Sequence, residues 1–467
     1  MDIQRRTVST WCAVFIYRAY RADKSQRKKP WRKCSTNGPV LSRGSRSDGP
    51  AKIFQGDESG GWPSHFHHNA RAIPLRSAIA YRQVVAASEL NMSSLVHNLS
   101  SRSRRSWVSA ALLLTSIWAA TFACAQEFHT HALEHFTLEN GVTLPAAQIH
   151  YATYGKLNAD HSNAILLPSH YMADGHGYEW LIGKDKALDA ERYFLITTEL
   201  FGNGRSSSPS NTSEPFHGPR FPITTIRDNV AAIHDLLVNE LKINHLRAVI
   251  GFSMGGQQAF QWAVSYPDFA DAIVVTAATA KTWPHGIVRL EGQIAAITAD
   301  PTFNAGDYTE PPVRGLDTFG LMWAGWLYSQ QWWREELWRT GEPPGTTLDQ
   351  AISRYRHDFI PGADANDLIL QMRTWEKHDV GTSPGFDGDI HRALRSIRAW
   401  VLYMPSATDL YFPVEDAKVE AASIPHLLFQ PIPSLWGHTA GAASNPQDAE
   451  FLNTQIGAFL AGEKVAR

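Results

Sequence analysis

The chain has 467 residues and a formal net charge of −2, with 43% hydrophobic and 11% aromatic residues, a composition that excludes a disordered chain. The charge is unevenly spread: residues 1–125 hold 19 Lys and Arg against 6 Asp and Glu (net +13), and residues 126–467 hold 24 against 39 (net −15). The acidic part is long enough for one α/β domain with an insertion, and its sign excludes nucleic acid as a partner, because a phosphate-binding face has to be basic.

Residues 1–91 are basic and carry no hydrophobic period, with runs such as Arg27-Lys28-Lys29. They read as disordered, or as lying upstream of a working start at Met92. The other reading is a basic arm for nucleic acid or a membrane surface. Residues 92–125 read as a signal peptide. Arg102, Arg104 and Arg105 precede an apolar run from Trp107 to Phe122, and Ala123-Cys124-Ala125 is a small-x-small cleavage pattern before Gln126. Ser103–Val108 resembles a twin-arginine export signal with Trp107 in place of Phe. A run this short does not read as a stable membrane anchor. The expectation is export to the periplasm or the medium. Cys12, Cys34 and Cys124 all fall in the basic part. The acidic part therefore has no disulfide, thiolate metal site or cysteine nucleophile.

From residue 126 the elements follow in order. His129-Thr130-His131 reads as a loose segment. Phe136–Glu139 and Gln148–Tyr154 alternate around Asn140-Gly141 and read as an antiparallel start. Ala164–Pro168 and Tyr193–Thr197 are buried strands, with a tight turn at Gly202-Asn203-Gly204. Ile223–Leu241 has helical periodicity. Arg247–Gly251 is a strand followed by a helix through Tyr266, and Ala272–Thr276 is the next strand. Such alternation predicts an α/β fold, a mostly parallel sheet with helices on both faces. Residues 126–280 form the first part of this core. Residues 281–388 break the pattern and hold Trp283, Trp323, Trp326, Trp332, Trp333, Trp338 and Trp375. They read as a helical cap whose aromatics are divided between its own core and a substrate lid. Residues 389–467 resume the core with Ala399–Met404, Val414–Ser423, Leu427–Pro431 and Pro446–Leu460.

Gly251-Phe252-Ser253-Met254-Gly255 matches G-x-S-x-G between a strand and a helix, the context a strained nucleophile turn requires. A serine hydroxyl needs a base. His438 follows Leu427–Pro431 and is the expected general base. Asp409 follows Ala399–Met404 and is the expected partner that orients it. Asp416 falls in the next helix, and Asp379, Asp387 and Asp389 precede the penultimate strand. His170, His176, His234, His357, His378 and His391 read as surface or supporting residues. Oxyanion donors are expected from the backbone N–H of Met254 and from the loop after Ala164–Pro168, with Met172 favoured and Tyr171 beside it. No metal or dinucleotide motif is present, so no cofactor is expected.

These residues resemble the homoserine O-acetyltransferase family of the α/β-hydrolase fold. The resemblance rests on Pro222–Asp228, Val249–Ala259, Gln261-Trp262-Ala263, Phe201-Gly202 through Pro209, Asp300-Pro301 with Gly306-Asp307-Tyr308, Asp409 with Phe412-Pro413, and Gly437-His438. It spans about residues 134–462. It implies a Ser253–Asp409–His438 triad and an acyl-enzyme formed from acetyl-CoA and passed to an alcohol under a helical cap. Two positions depart from the family's pattern. Thr439 stands where an Asp that meets the homoserine amine is usual. Gly320, between Phe319 and Leu321, stands where an Arg for the carboxylate is usual. Losing both charges removes recognition of a zwitterion. The expectation is an exported serine enzyme acting through acyl-Ser253 on a small-molecule ester or acyl donor, with water or an alcohol as acceptor. Acetyl-CoA enters as co-substrate only in a true homoserine acetyltransferase, and the rival from another class is a non-catalytic binding protein. A homodimer is compatible with this reading.

Overall fold

A computed structural model describes residues 127–357 and 362–462. The expectations for the first 125 residues, a disordered or upstream stretch and a signal peptide, lie outside the described residues, as do the three cysteines.

One sheet of eight strands organises the chain, in the order β1-β2-β4-β3-β5-β6-β7-β8. The strands are β1 (Glu127–Thr137), β2 (Thr143–Tyr154), β3 (Ala164–Pro168), β4 (Phe194–Thr198), β5 (Ala248–Phe252), β6 (Ala272–Thr276), β7 (Trp400–Met404) and β8 (Leu427–Phe429). β1 and β2 pair antiparallel, β2 meets β4 antiparallel, and every other neighbour is parallel. The fold is the expected α/β-hydrolase fold. β3 and β5 are buried along their whole length. Strands covered on both faces read as continuous apolar runs, which is why they are legible without alternation.

The first hairpin corrects the reading of the start. β1 begins at Glu127, so His129-Thr130-His131 is strand and not loose chain. Its register runs from Glu127 opposite Thr153 to Thr137 opposite Thr143. His131 is fixed further by Asp235, 2.8 Å from its Nε2. Polar residues on a half-solvated antiparallel strand leave no apolar signal.

Helix α1 (Ile226–Asp235) starts three residues later than the apolar period suggests. Thr225 closes a capping box there: its hydroxyl accepts from the Asp228 N–H, and the Asp228 carboxylate accepts from the Thr225 N–H. The cap satisfies two otherwise unpaired donors and fixes the boundary. A π-helical turn at Leu236–Glu240 ends it. α2 (Met254–Ser265) follows β5 directly.

Between β6 and β7 the described chain carries α3 (Pro284–Thr298), α4 (Val313–Leu327), α5 (Gln330–Arg334), α6 (Leu348–His357), α7 (Ala365–Glu376) and α8 (Ile390–Arg395). Trp332, Trp338 and Trp375 are buried in it. The sheet then closes with β7, α9 (Val414–Ala421), β8 and α10 (Pro446–Leu460).

Candidate active site

Ser253 occupies the junction of β5 and α2 with φ 55° and ψ −127°. A non-glycine residue at this φ is strained, and such strain is held only where the surroundings over-determine it. They do so here. A Cβ at Gly251 would stand 2.0 Å from the Gly255 carbonyl oxygen, and one at Gly255 would stand 2.4 Å from that of Pro168. The turn is thus as tight as backbone allows. The Ser253 N–H donates to Thr276 O at 3.0 Å, tying the turn to β6. Tyr178 ties it to β3: its hydroxyl donates to Pro168 O at 2.6 Å and accepts from the Phe252 N–H at 3.1 Å.

The other two residues arrive from loops at the carboxyl ends of β7 and β8. His438 is the second residue of a 3-10 turn, Gly437–Ala442. That turn is anchored by Thr276 Oγ1 donating to Gly441 O at 2.8 Å and by the Gly437 N–H donating to Thr408 Oγ1 at 3.2 Å. The structure brings all three together. His438 Nε2 is 2.9 Å from Ser253 Oγ, and Nδ1 is 2.8 Å from Asp409 Oδ2. The other Asp409 oxygen accepts from the Tyr411 and Phe412 N–H groups at 2.7 and 3.2 Å. All three side chains are buried.

This geometry sets the protonation pattern. An ionised carboxylate only accepts, so Nδ1 of His438 carries its proton toward Asp409 and Nε2 is left to accept from the serine hydroxyl. Phe252 lies between His438 and His170, with ring centres 4.8 and 4.7 Å away. Burial, and then the charge on His438, pushes His170 down to about 3, so a second cation does not form beside the base. The remaining histidines lie elsewhere: His357 is 3.3 Å from Asp317, and His378 is buried with neither ring nitrogen hydrogen-bonded among the described residues. His176 pairs with Glu179 at 2.6 Å, His391 meets Ser423 at 2.9 Å, and His234 stacks on Tyr266 at 4.1 Å. Asp416 lies in α9.

The Met254 N–H stands at the first position of α2, where no carbonyl of the helix can accept it. The Met172 N–H differs from expectation: it donates to Gln371 Oε1 at 2.9 Å, and Gln371 Nε2 donates to Gly202 O at 2.7 Å. A side chain from α7 thus spends the amide favoured as second oxyanion donor, which no local pattern near residue 172 could reveal. The loop is also held by Gln258, whose Nε2 donates to Ser169 O at 2.9 Å.

The sequence reading missed Tyr411, Gln371 and Arg289. Tyr411 packs on His438 at 4.7 Å between ring centres and on Trp323 at 5.2 Å, and Trp323 stacks on Tyr171 at 5.0 Å. Trp323 of the insertion therefore reaches the triad through Tyr411, which lies in the loop after β7. Gly320 is buried in α4. Thr439 Oγ1 donates to Trp436 O at 2.9 Å. Neither position supplies a charge.

A family profile described as the alpha/beta hydrolase fold matches residues 172–434. The chain is 34% identical over 329 residues to an ethyl acetate hydrolase of Pseudomonas veronii, covering 69% of this chain and 92% of that one. It is 32% identical over 336 residues to a homoserine O-acetyltransferase of Trichormus variabilis, covering 68% and 90%. Its structure is similar to that of an acetylester hydrolase from Corynebacterium glutamicum, with a TM-score of 0.69, 31% identity, and coverage of 72% of this chain and 96% of that one.

Proposed function

The chain belongs to the α/β-hydrolase fold family, in its homoserine O-acetyltransferase-like branch, and from that premise we propose that it is an exported esterase that transfers short acyl groups from esters to water. The carrying observation is the unbroken hydrogen-bonded line from Asp409 through His438 to Ser253 Oγ. Water as acceptor is supported by the two hydrolases to which the chain is similar. The uncharged Gly320 and Thr439, where a zwitterionic alcohol would need partners, support it further.

Ser253 Oγ attacks the ester carbonyl while His438 Nε2 takes the hydroxyl proton. The oxyanion is received by the Met254 N–H and by the Tyr171 N–H, the Met172 amide being held by Gln371. Collapse expels the alcohol, which leaves with the proton from His438. Water then adds to acyl-Ser253, giving its proton to His438, and the acid departs as Ser253 regains a proton. Asp409 holds the tautomer and stabilises the imidazolium formed in each half. No cofactor takes part, and the mature chain begins at Gln126 after loss of the signal peptide.

Steady-state turnover decides between acceptors. Ethyl acetate and p-nitrophenyl acetate are expected to be hydrolysed, with no acetyl-CoA-dependent acetylation of homoserine. Faster acetylation of homoserine than hydrolysis of either ester would overturn the esterase reading.

A further inference from the structure

Helix α3 carries a cation that the triad chemistry does not use. Arg289 is only 3% exposed. It lies on the buried face of α3 with Leu290, Gln293, Ile294 and Ile297. Its guanidinium carbon is 4.0 Å from the centre of the Tyr411 ring and 4.5 Å from that of Trp375. Tyr411 in turn packs on His438, 4.7 Å between ring centres. The guanidinium is therefore no further from the imidazole than the width of one aromatic ring and its two contacts.

The hydrogen bonds of this group are incomplete. Nη1 donates to Gln293 Oε1 at 2.6 Å. Nε and Nη2 have no hydrogen-bond partner among the described residues, and neither does Nε2 of Gln293, one helical turn on. Every open position on Arg289 and Gln293 is an N–H donor. Nε and Nη2 form one edge of the guanidinium, with the spacing that receives both oxygens of a carboxylate. The carboxylates whose charge reaches Arg289 are Asp409 and Glu376. Asp409 is committed to His438 and two amides; Glu376 is bonded to Arg373 through Oε2 at 2.7 Å, and its Oε1 has no hydrogen-bond partner among the described residues and no hydrogen bond to Arg289. A buried cation with a vacant fork is costly unless an anion completes it.

We infer that Arg289 is a specificity-determining residue that receives a free carboxylate at the non-reacting end of the substrate. The preferred substrate is then a short ester that carries a carboxylate, rather than a neutral ester. This rests on the esterase reading and names its substrate class. The carboxylate can belong to the acyl part, as in a dicarboxylic acid half-ester, or to the alcohol part, as in an O-acetyl hydroxy acid.

The test measures kcat/KM for monoethyl succinate and for 3-acetoxypropanoate, each beside its carboxamide, in wild type and Arg289→Gln. One acid is expected to exceed its carboxamide in wild type on the order of 10- to 100-fold, chiefly through KM. Whichever acid does so identifies the side that carries the charge. In Arg289→Gln that ratio is expected to fall to about one. A preference unchanged in the variant overturns the inference. If the variant does not fold, the wild-type ratios decide alone: both near one, in an enzyme that turns over p-nitrophenyl acetate, leave the esterase reading standing and make Arg289 a structural cation. Absence of any ester turnover overturns the esterase reading itself, and this inference with it.

Discussion

His438 faces a carboxylate on one nitrogen and a hydroxyl on the other, and the order of those two partners determines what the site can do. Asp409→Asn replaces one acceptor by an amide that can present N–H to Nδ1. The imidazole then turns the wrong tautomer toward Ser253, and kcat is expected to fall on the order of 10³- to 10⁴-fold, with KM for p-nitrophenyl acetate little changed. Ser253→Ala is expected to lower kcat by about 10⁶-fold, leaving only the residual rate that the oxyanion donors and binding supply. The three triad residues were legible because each sits in a loop directly after a strand, and loops at carboxyl strand ends are where such a sheet assembles its site. Met172 was not legible in the same way. Its amide depends on Gln371, a residue about two hundred positions later, and only the packing of α7 brings the two together. Arg289 left a faint signal: a single cation on the buried stripe of α3, with Gln293 its only other polar residue.

At the scale of elements, boundaries followed local chemistry where the chemistry was strong. The apolar runs of β3 and β6 and the Asn445-Pro446 start of α10 fall where the sequence placed them. The start of β1 was missed because its histidines and threonine carry no apolar alternation. The strand-turn-helix unit around Ser253 depends on its small residues. Gly255→Ala would push a methyl group against the Pro168 carbonyl at 2.4 Å and the Tyr178 hydroxyl at 2.5 Å. Neither neighbour is a free chain end, since Tyr178 is bonded to both sides of the turn. Urea denaturation is expected to show a loss of about 1–3 kcal/mol. Tyr178→Phe leaves the buried Phe252 N–H without its acceptor and is expected to cost about 1–3 kcal/mol in the same assay.

Over the whole molecule, buried ionisable groups act on stability in opposite senses. Burial raises the Glu420 and Asp367 carboxyls to about 7, above their unfolded values. Their contribution is complete below the ordinary carboxylate range and is lost as pH rises through about 7. Burial lowers His170 and His378 to about 3. The unfolded chain then binds more protons between about 3 and 6.5, so their contribution grows as pH rises across that window. Glu420 accepts from the Ala280 N–H and from Trp283 Nε1, both at 2.9 Å, and lies 2.9 Å from the Tyr403 hydroxyl. Glu420→Gln removes its titration, so the Tm of the variant minus that of wild type is expected to increase from pH 4.5 to pH 7.5. A difference independent of pH would show that folding leaves the Glu420 carboxyl unshifted. The central claim, an acyl group carried on Ser253, is tested most directly by intact-mass spectrometry after brief incubation with p-nitrophenyl acetate, beside a Ser253→Ala control. The expected result is a single acetyl adduct on wild type that disappears in water, and none on the control. An unmodified wild-type mass without ester turnover, or the same adduct on both proteins, would contradict it.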